Sequence, residues 1–137
     1  MQSSTLALLG YAAWTLVLLG GIAVLRGTLV TAGKRAANSF AVTGEDVSPF
    51  SARLCRAHAN CYENLPAFAS LVLIALVTGH GDITEPLALY LLAARIAQST
   101  THLISTQSRA VLLRFAFLVV QYVIQITWIV QLLRALT

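Results

Sequence analysis

The sequence predicts an all-α integral membrane protein built as a four-helix bundle, and three observations carry that prediction. Of the 137 residues 58% are hydrophobic, and the mean hydropathy is +0.78. Only 10% are charged, where a soluble domain carries about a quarter. The apolar residues fall in four long segments joined by short connections. A bilayer core about 30 Å thick takes about 20 residues of helix to cross. The length fits one domain, residues 1–137, with four such spans and no fifth.

Span one is expected over about 5–30, interrupted only by Arg26 near its end. It lacks a positive amino-terminal stretch, and no convincing small-residue cleavage site precedes the polar loop. It therefore reads as a true span and not as a signal peptide. A polar segment, Thr31 to Phe50, follows. Span two is expected over about 51–78, polar in its first half and apolar, Ser70 apart, from Phe68 to Val77. The turn Gly79-His80-Gly81-Asp82 ends it. Pro66 inside this span leaves the Tyr62 carbonyl without its helical donor, and in a membrane that acceptor needs another partner. Span three is expected over about 86–105, with Pro86 at a favourable first-turn position. Span four is expected over about 109–136. Trp14 and Trp128 fit either interfacial anchors or interior packing.

Basic residues in the connections set the expected topology. Lys34 and Arg35 lie in the first loop, with Arg26 just before it, and Arg109 opens the fourth span. The second loop holds Asp82 and Glu85 without Lys or Arg. Loops one and three are thus expected in the cytoplasm, with Arg134 as a weak counter-signal. The net charge of +4 does not indicate nucleic acid, because the basic residues are scattered among apolar ones and form no run with interleaved aromatics. Cys55 and Cys61, six apart on one helix, point in different directions and cannot bridge within it. Their spacing and neighbours suggest no metal site.

The informative residues are the polar ones that a span should avoid. Each charge near the middle of a membrane helix costs about 2.5–3.5 kcal/mol on insertion scales. Span two carries Arg53, Arg56, His58, Asn60 and Glu63. Spacings of three, four and three place Arg53, Arg56, Asn60 and Glu63 on one helical face. That face has to meet another helix, a partner subunit or a water-filled cavity. Span three repeats the pattern with Arg95, Gln98 and His102. Span four carries Arg114, then Gln121 seven residues on and Gln125 a turn further. One reading is a structural ion-pair network in which an arginine neutralises Glu63, since buried charges are normally paired. The counts do not balance: Arg26, Arg53, Arg56, Arg95 and Arg114 stand against Glu63 alone. An anionic ligand would offset the surplus.

The segment from Arg53 to Phe68, RLCRAHANCYENLPAF, resembles the RxxRAHxNxxENxPxF signature of MAPEG proteins, membrane-associated proteins in eicosanoid and glutathione metabolism. The run Ala94-Arg95-Ile96-Ala97-Gln98-Ser99-Thr100-Thr101-His102-Leu103 is similar to that family's third helix. Arg114-Phe115-Ala116-Phe117-Leu118-Val119-Val120-Gln121 looks like the start of its fourth. The resemblance, to a bacterial-type member, spans nearly the whole chain.

The resemblance implies a homotrimer of four-helix subunits in a bacterial plasma membrane, with glutathione held between adjacent subunits near the cytoplasmic side. It implies that Arg56, Asn60 and Glu63 grip the peptide, with Arg26, Arg53 and His58 nearby. It also implies that Arg95, Gln98 and His102 line the same cavity, and that Arg114 stabilises the thiolate. Eicosanoid-type members often face the thiol with tyrosines; this chain has His102 at one such place and Phe117-Leu118 where span four would offer a hydroxyl.

Glutathione carries two carboxylates, an ammonium and a thiol, which an arginine stripe with one glutamate complements. The expected activity is a glutathione transferase or peroxidase acting on lipophilic electrophiles from the bilayer. Two alternatives remain, a catalytically silent membrane module and a small transporter subunit. Against the second, cations outnumber anions and no pair of discontinuous helices is evident.

Overall fold

The computed structural model describes residues 2–137. It is all helix, with no strand among the described residues: α1 (Gln2–Thr31), α2 (Pro49–Val77), the single turn α3 (Gly81–Thr84), α4 (Ala88–Ile104) and α5 (Ser108–Leu136). α1, α2 and α5 are each long and apolar enough to cross a membrane. α4, at 17 residues, is about 26 Å long. It packs against α1, α2 and α5, so the four long helices close into a bundle, and α4 buries Arg95, Gln98 and His102 in it.

Local sequence sets the helix ends. α2 begins where Ser48 accepts a hydrogen bond from the Ser51 N–H at 3.0 Å, with Pro49 in the first turn, an arrangement that satisfies one orphan donor and needs none from proline. It runs unbroken through Pro66 and ends at Gly79, whose φ of 78° suits a residue with no Cβ. There the His80 N–H donates to the Ala75 carbonyl at 2.8 Å and the Gly79 N–H to Leu76 at 3.4 Å, the paired closure of a Schellman cap. Pro86 falls in the turn before α4 and not in its first turn. That turn has a task of its own. Glu85 accepts from the Ser3 and Ser4 N–H groups at 2.8 and 3.2 Å, and Ser4 Oγ meets Thr84 Oγ1 at 2.8 Å. A carboxylate on the amino end of α1 is placed where the helix dipole favours it.

The interior is made of small residues and one aromatic stack. Ala7, Ala57, Cys61, Ala75 and Ala88 are wholly or almost wholly buried and let the backbones approach closely. Tyr11 stacks on Phe68 at 5.1 Å, and Phe68 meets Trp128 at 6.2 Å, which joins α1, α2 and α5. Trp128 is therefore an interior residue, and Trp14 also packs against the core. Large apolar side chains along α1 and α5, among them Leu9, Leu16, Leu112, Phe115 and Val123, stay exposed, as lipid-facing surfaces do.

Candidate functional site

A cavity of about 800 Å³ opens between the first turns of α2, the last turn of α4, the first turns of α5 and the first loop. Arg53, Arg56 and Asn60 reach it from α2, Gln98 and His102 from α4, and Arg114 from α5. The spacings of three and four put each set on one face, and the bundle turns the three faces toward one another. The first loop closes a further side with Val42, Thr43 and Glu45. Val111, Phe115 and Leu118 of α5 add an apolar wall. A smaller groove of about 270 Å³ adjoins it, shares Leu118, and is lined by Asn64, Gln121, Tyr122 and Gln125 among others.

The polar groups of the cavity differ in how firmly they are held. Arg53 Nε donates to the Leu103 carbonyl at 2.9 Å, and its guanidinium lies 5.8 Å from the Phe50 ring. Gln98 Oε1 accepts from Gln121 Nε2 at 2.9 Å. Gln121 also donates to the Phe117 carbonyl at 2.9 Å and is buried, so it fixes Gln98 from behind. The Asn60 amide nitrogen lies 3.5 Å from His102 Nδ1, and the tautomer that accepts from it carries the ring proton on Nε2. Arg56 and Arg114 have no hydrogen bond or ion pair among the described residues, and Arg114 Nε is buried without a partner. Two guanidiniums at the level of the helices are thus uncommitted.

Four residues expected at the site lie elsewhere in the single chain. Arg26 Nη2 donates to the Ala41 carbonyl at 2.8 Å, and its guanidinium sits 5.4 Å from the Phe40 ring. It anchors the first loop. Arg95 is buried, donates to the Asn60 carbonyl at 3.3 Å, and lies 5.5 Å from the Tyr11 ring. It braces α2 behind the cavity. His58 is half-buried against Tyr62, ring to ring at 5.2 Å, because two residues along a helix turn it about 200° from Arg56. Glu63 continues the stripe about one turn beyond Asn60, outside the cavity and exposed. No arginine neutralises it among the described residues, so the ion-pair network weighed from sequence does not form within one chain.

The first loop was missed as a wall. It is shaped by Gly44, buried at a φ of 72°. A Cβ there would meet Ser51 Oγ at 2.7 Å and Cys55 Sγ at 2.8 Å, so the turn lies directly on α2. Asp46 ties the loop together: its Oδ2 accepts from Arg35 Nη2 at 2.6 Å and from the Ala41 N–H at 3.2 Å. The Arg35 guanidinium beside it holds the Asp46 carboxyl below its ordinary range. A glycine followed by two acids in a polar segment was the signal available in sequence.

The arrangement can take a small polyanion in a partly apolar recess, offer it two free guanidiniums and an imidazole N–H, and admit a lipophilic group along α5. A family model described as the MAPEG family matches residues 4–134 of the chain. No curated protein and no solved structure matches it.

Proposed function

The chain belongs to the MAPEG family, and from that membership and the cavity we propose that it binds glutathione and either adds its thiolate sulfur to lipophilic electrophiles or, with a second glutathione so that the disulfide leaves, reduces lipophilic hydroperoxides to alcohol and water. Family membership makes it a membrane protein of the glutathione and eicosanoid metabolism group. The finer reading rests chiefly on one observation: Arg56 and Arg114 face the cavity without an ion pair or hydrogen bond among the described residues.

In this reading Arg56, Arg53 and Asn60 bind the carboxylates and amides of the peptide. Arg114 lies by the thiol and favours its ionised form; lowering a thiol from about 8.5 by two units takes roughly 2.7 kcal/mol. His102, with its Nε2–H, donates to the developing anion on sulfur or acceptor. The electrophile approaches along Val111, Phe115 and Leu118. Glu63, exposed at helix depth, supports assembly as a homotrimer in which a neighbouring subunit supplies its partner, since a charge facing lipid there is costly. Lys34 and Arg35 in the first loop support a site on the cytoplasmic side of the membrane.

A second reading, a silent module that binds without reacting, has one observation in its favour. None of the four tyrosines lines the cavity, so no phenolic hydroxyl is available there to a thiol. Calorimetry with glutathione and a conjugation panel on one detergent-solubilised preparation separate the two. Binding with turnover supports the transferase, binding without turnover the silent module, and no binding at millimolar glutathione overturns both.

A further inference from the structure

We propose that Glu45 is the carboxylate that receives the ammonium of the bound peptide, and so selects glutathione over thiols that lack this charge. The inference rests on the glutathione reading and adds a specificity-determining residue to it. Three guanidiniums line the cavity, from Arg53, Arg56 and Arg114, and Glu45 is the single acidic residue that lines it with them. Glu63, the acid that the resemblance assigns to the peptide, is exposed a turn further on. A peptide with two carboxylates and one ammonium calls for several cations and one anion in the same recess. Glu45 completes that set within one chain.

Its placement is built by its neighbours. Gly44 on one side is packed against Ser51 and Cys55. Asp46 on the other is held by Arg35 and the Ala41 N–H. The Val47 N–H donates to the Gly44 carbonyl at 3.2 Å, and Arg26 fastens Ala41 at 2.8 Å. Of the two adjacent acids, Asp46 is consumed in shaping the turn. Glu45 has no hydrogen bond or ion pair among the described residues. Being in the loop and exposed, it stays hydrated until a ligand arrives, which an acid inside a span could do only at high cost. An ion pair this accessible is worth about a factor of five in affinity at most.

The test compares glutathione with glutaryl-cysteinyl-glycine, the same peptide with the ammonium replaced by hydrogen, by calorimetry on the detergent-solubilised assembly. Wild type is expected to bind glutathione about fivefold more tightly than the des-amino peptide. In E45Q that preference disappears, through weaker glutathione binding, while the des-amino affinity stays as in wild type. E45D is expected to restore part of the preference. A preference unchanged in E45Q overturns the proposal, as does an equal loss for both ligands, which marks a structural role. Tighter glutathione binding by E45Q also overturns it, because Glu45 would then compete for the arginines. Wild type that binds neither ligand overturns the glutathione reading itself; wild type that binds both alike overturns the ammonium selection alone.

Discussion

Arg114 enters the cavity from α5 with its Nε buried and no acceptor around it, which is the state expected of a cation that waits for an anion. Arg114→Ala should leave glutathione bound but raise the titration of its thiol by about two pH units. At neutral pH the thiolate, and with it conjugation, should fall about twentyfold or more. A thiol titration of the complex checks this. Arg56→Ala should act on affinity instead, since it removes charge-assisted bonds worth about 1.5–3 kcal/mol, and calorimetry should show a loss of tenfold or more. Gln121→Leu tests the support behind the site. It removes both donors to Gln98 and Phe117 and should destabilise the bundle by about 1–3 kcal/mol, measured by thermal unfolding in detergent. These roles were partly legible. Spacing alone brought Arg53, Arg56, Asn60, Gln98, His102 and Arg114 to notice. It could not show that Arg26 and Arg95 spend their guanidiniums on carbonyls and rings inside the chain, because a face is fixed by periodicity and its partner is fixed by packing.

Among the elements, the first loop carries the consequence least visible in sequence. Its docking depends on Gly44 fitting between Ser51 and Cys55, a tertiary match that composition does not encode. Gly44→Ala meets both a left-handed φ and a contact below 3 Å, so it should lift the loop from α2 and weaken glutathione binding. Hydrogen exchange should show loss of protection confined to residues 41–47. The same loop should respond to acid. Asp46 has a folded value below its ordinary one, so its contribution is present above the unfolded carboxylate range and is lost as pH falls through the depressed value. Loop protection should therefore drop on acidification before that of the helices, and Asp46→Asn should abolish the pH dependence. The helices themselves were readable, because apolar length and the punctuation at Ser48-Pro49 and Gly79 act locally. The single turn α3 and the place of Pro86 outside α4 were not, since the clasp of Glu85 and Thr84 on Ser3 and Ser4 joins residues about eighty positions apart.

The whole molecule presents a bundle whose inner faces are filled and whose outer faces are largely apolar, with the Glu63 carboxylate exposed along α2. A lone subunit leaves that charge unsatisfied at helix depth, which favours a neighbour over lipid. Native mass spectrometry from mild detergent should find three chains, and Glu63→Gln should weaken the assembly. The membrane class and the polar stripe were evident in the sequence; the division of the stripe between a cavity and an outer surface appears only when four helices are set side by side. The most direct test of the account is the ultraviolet absorbance of thiolate as the solubilised protein is titrated with glutathione at neutral pH. A saturable thiolate signal is expected, and Arg114→Ala should abolish it while calorimetric binding persists. Absence of binding at millimolar glutathione, or a thiolate signal indifferent to Arg114, would contradict it.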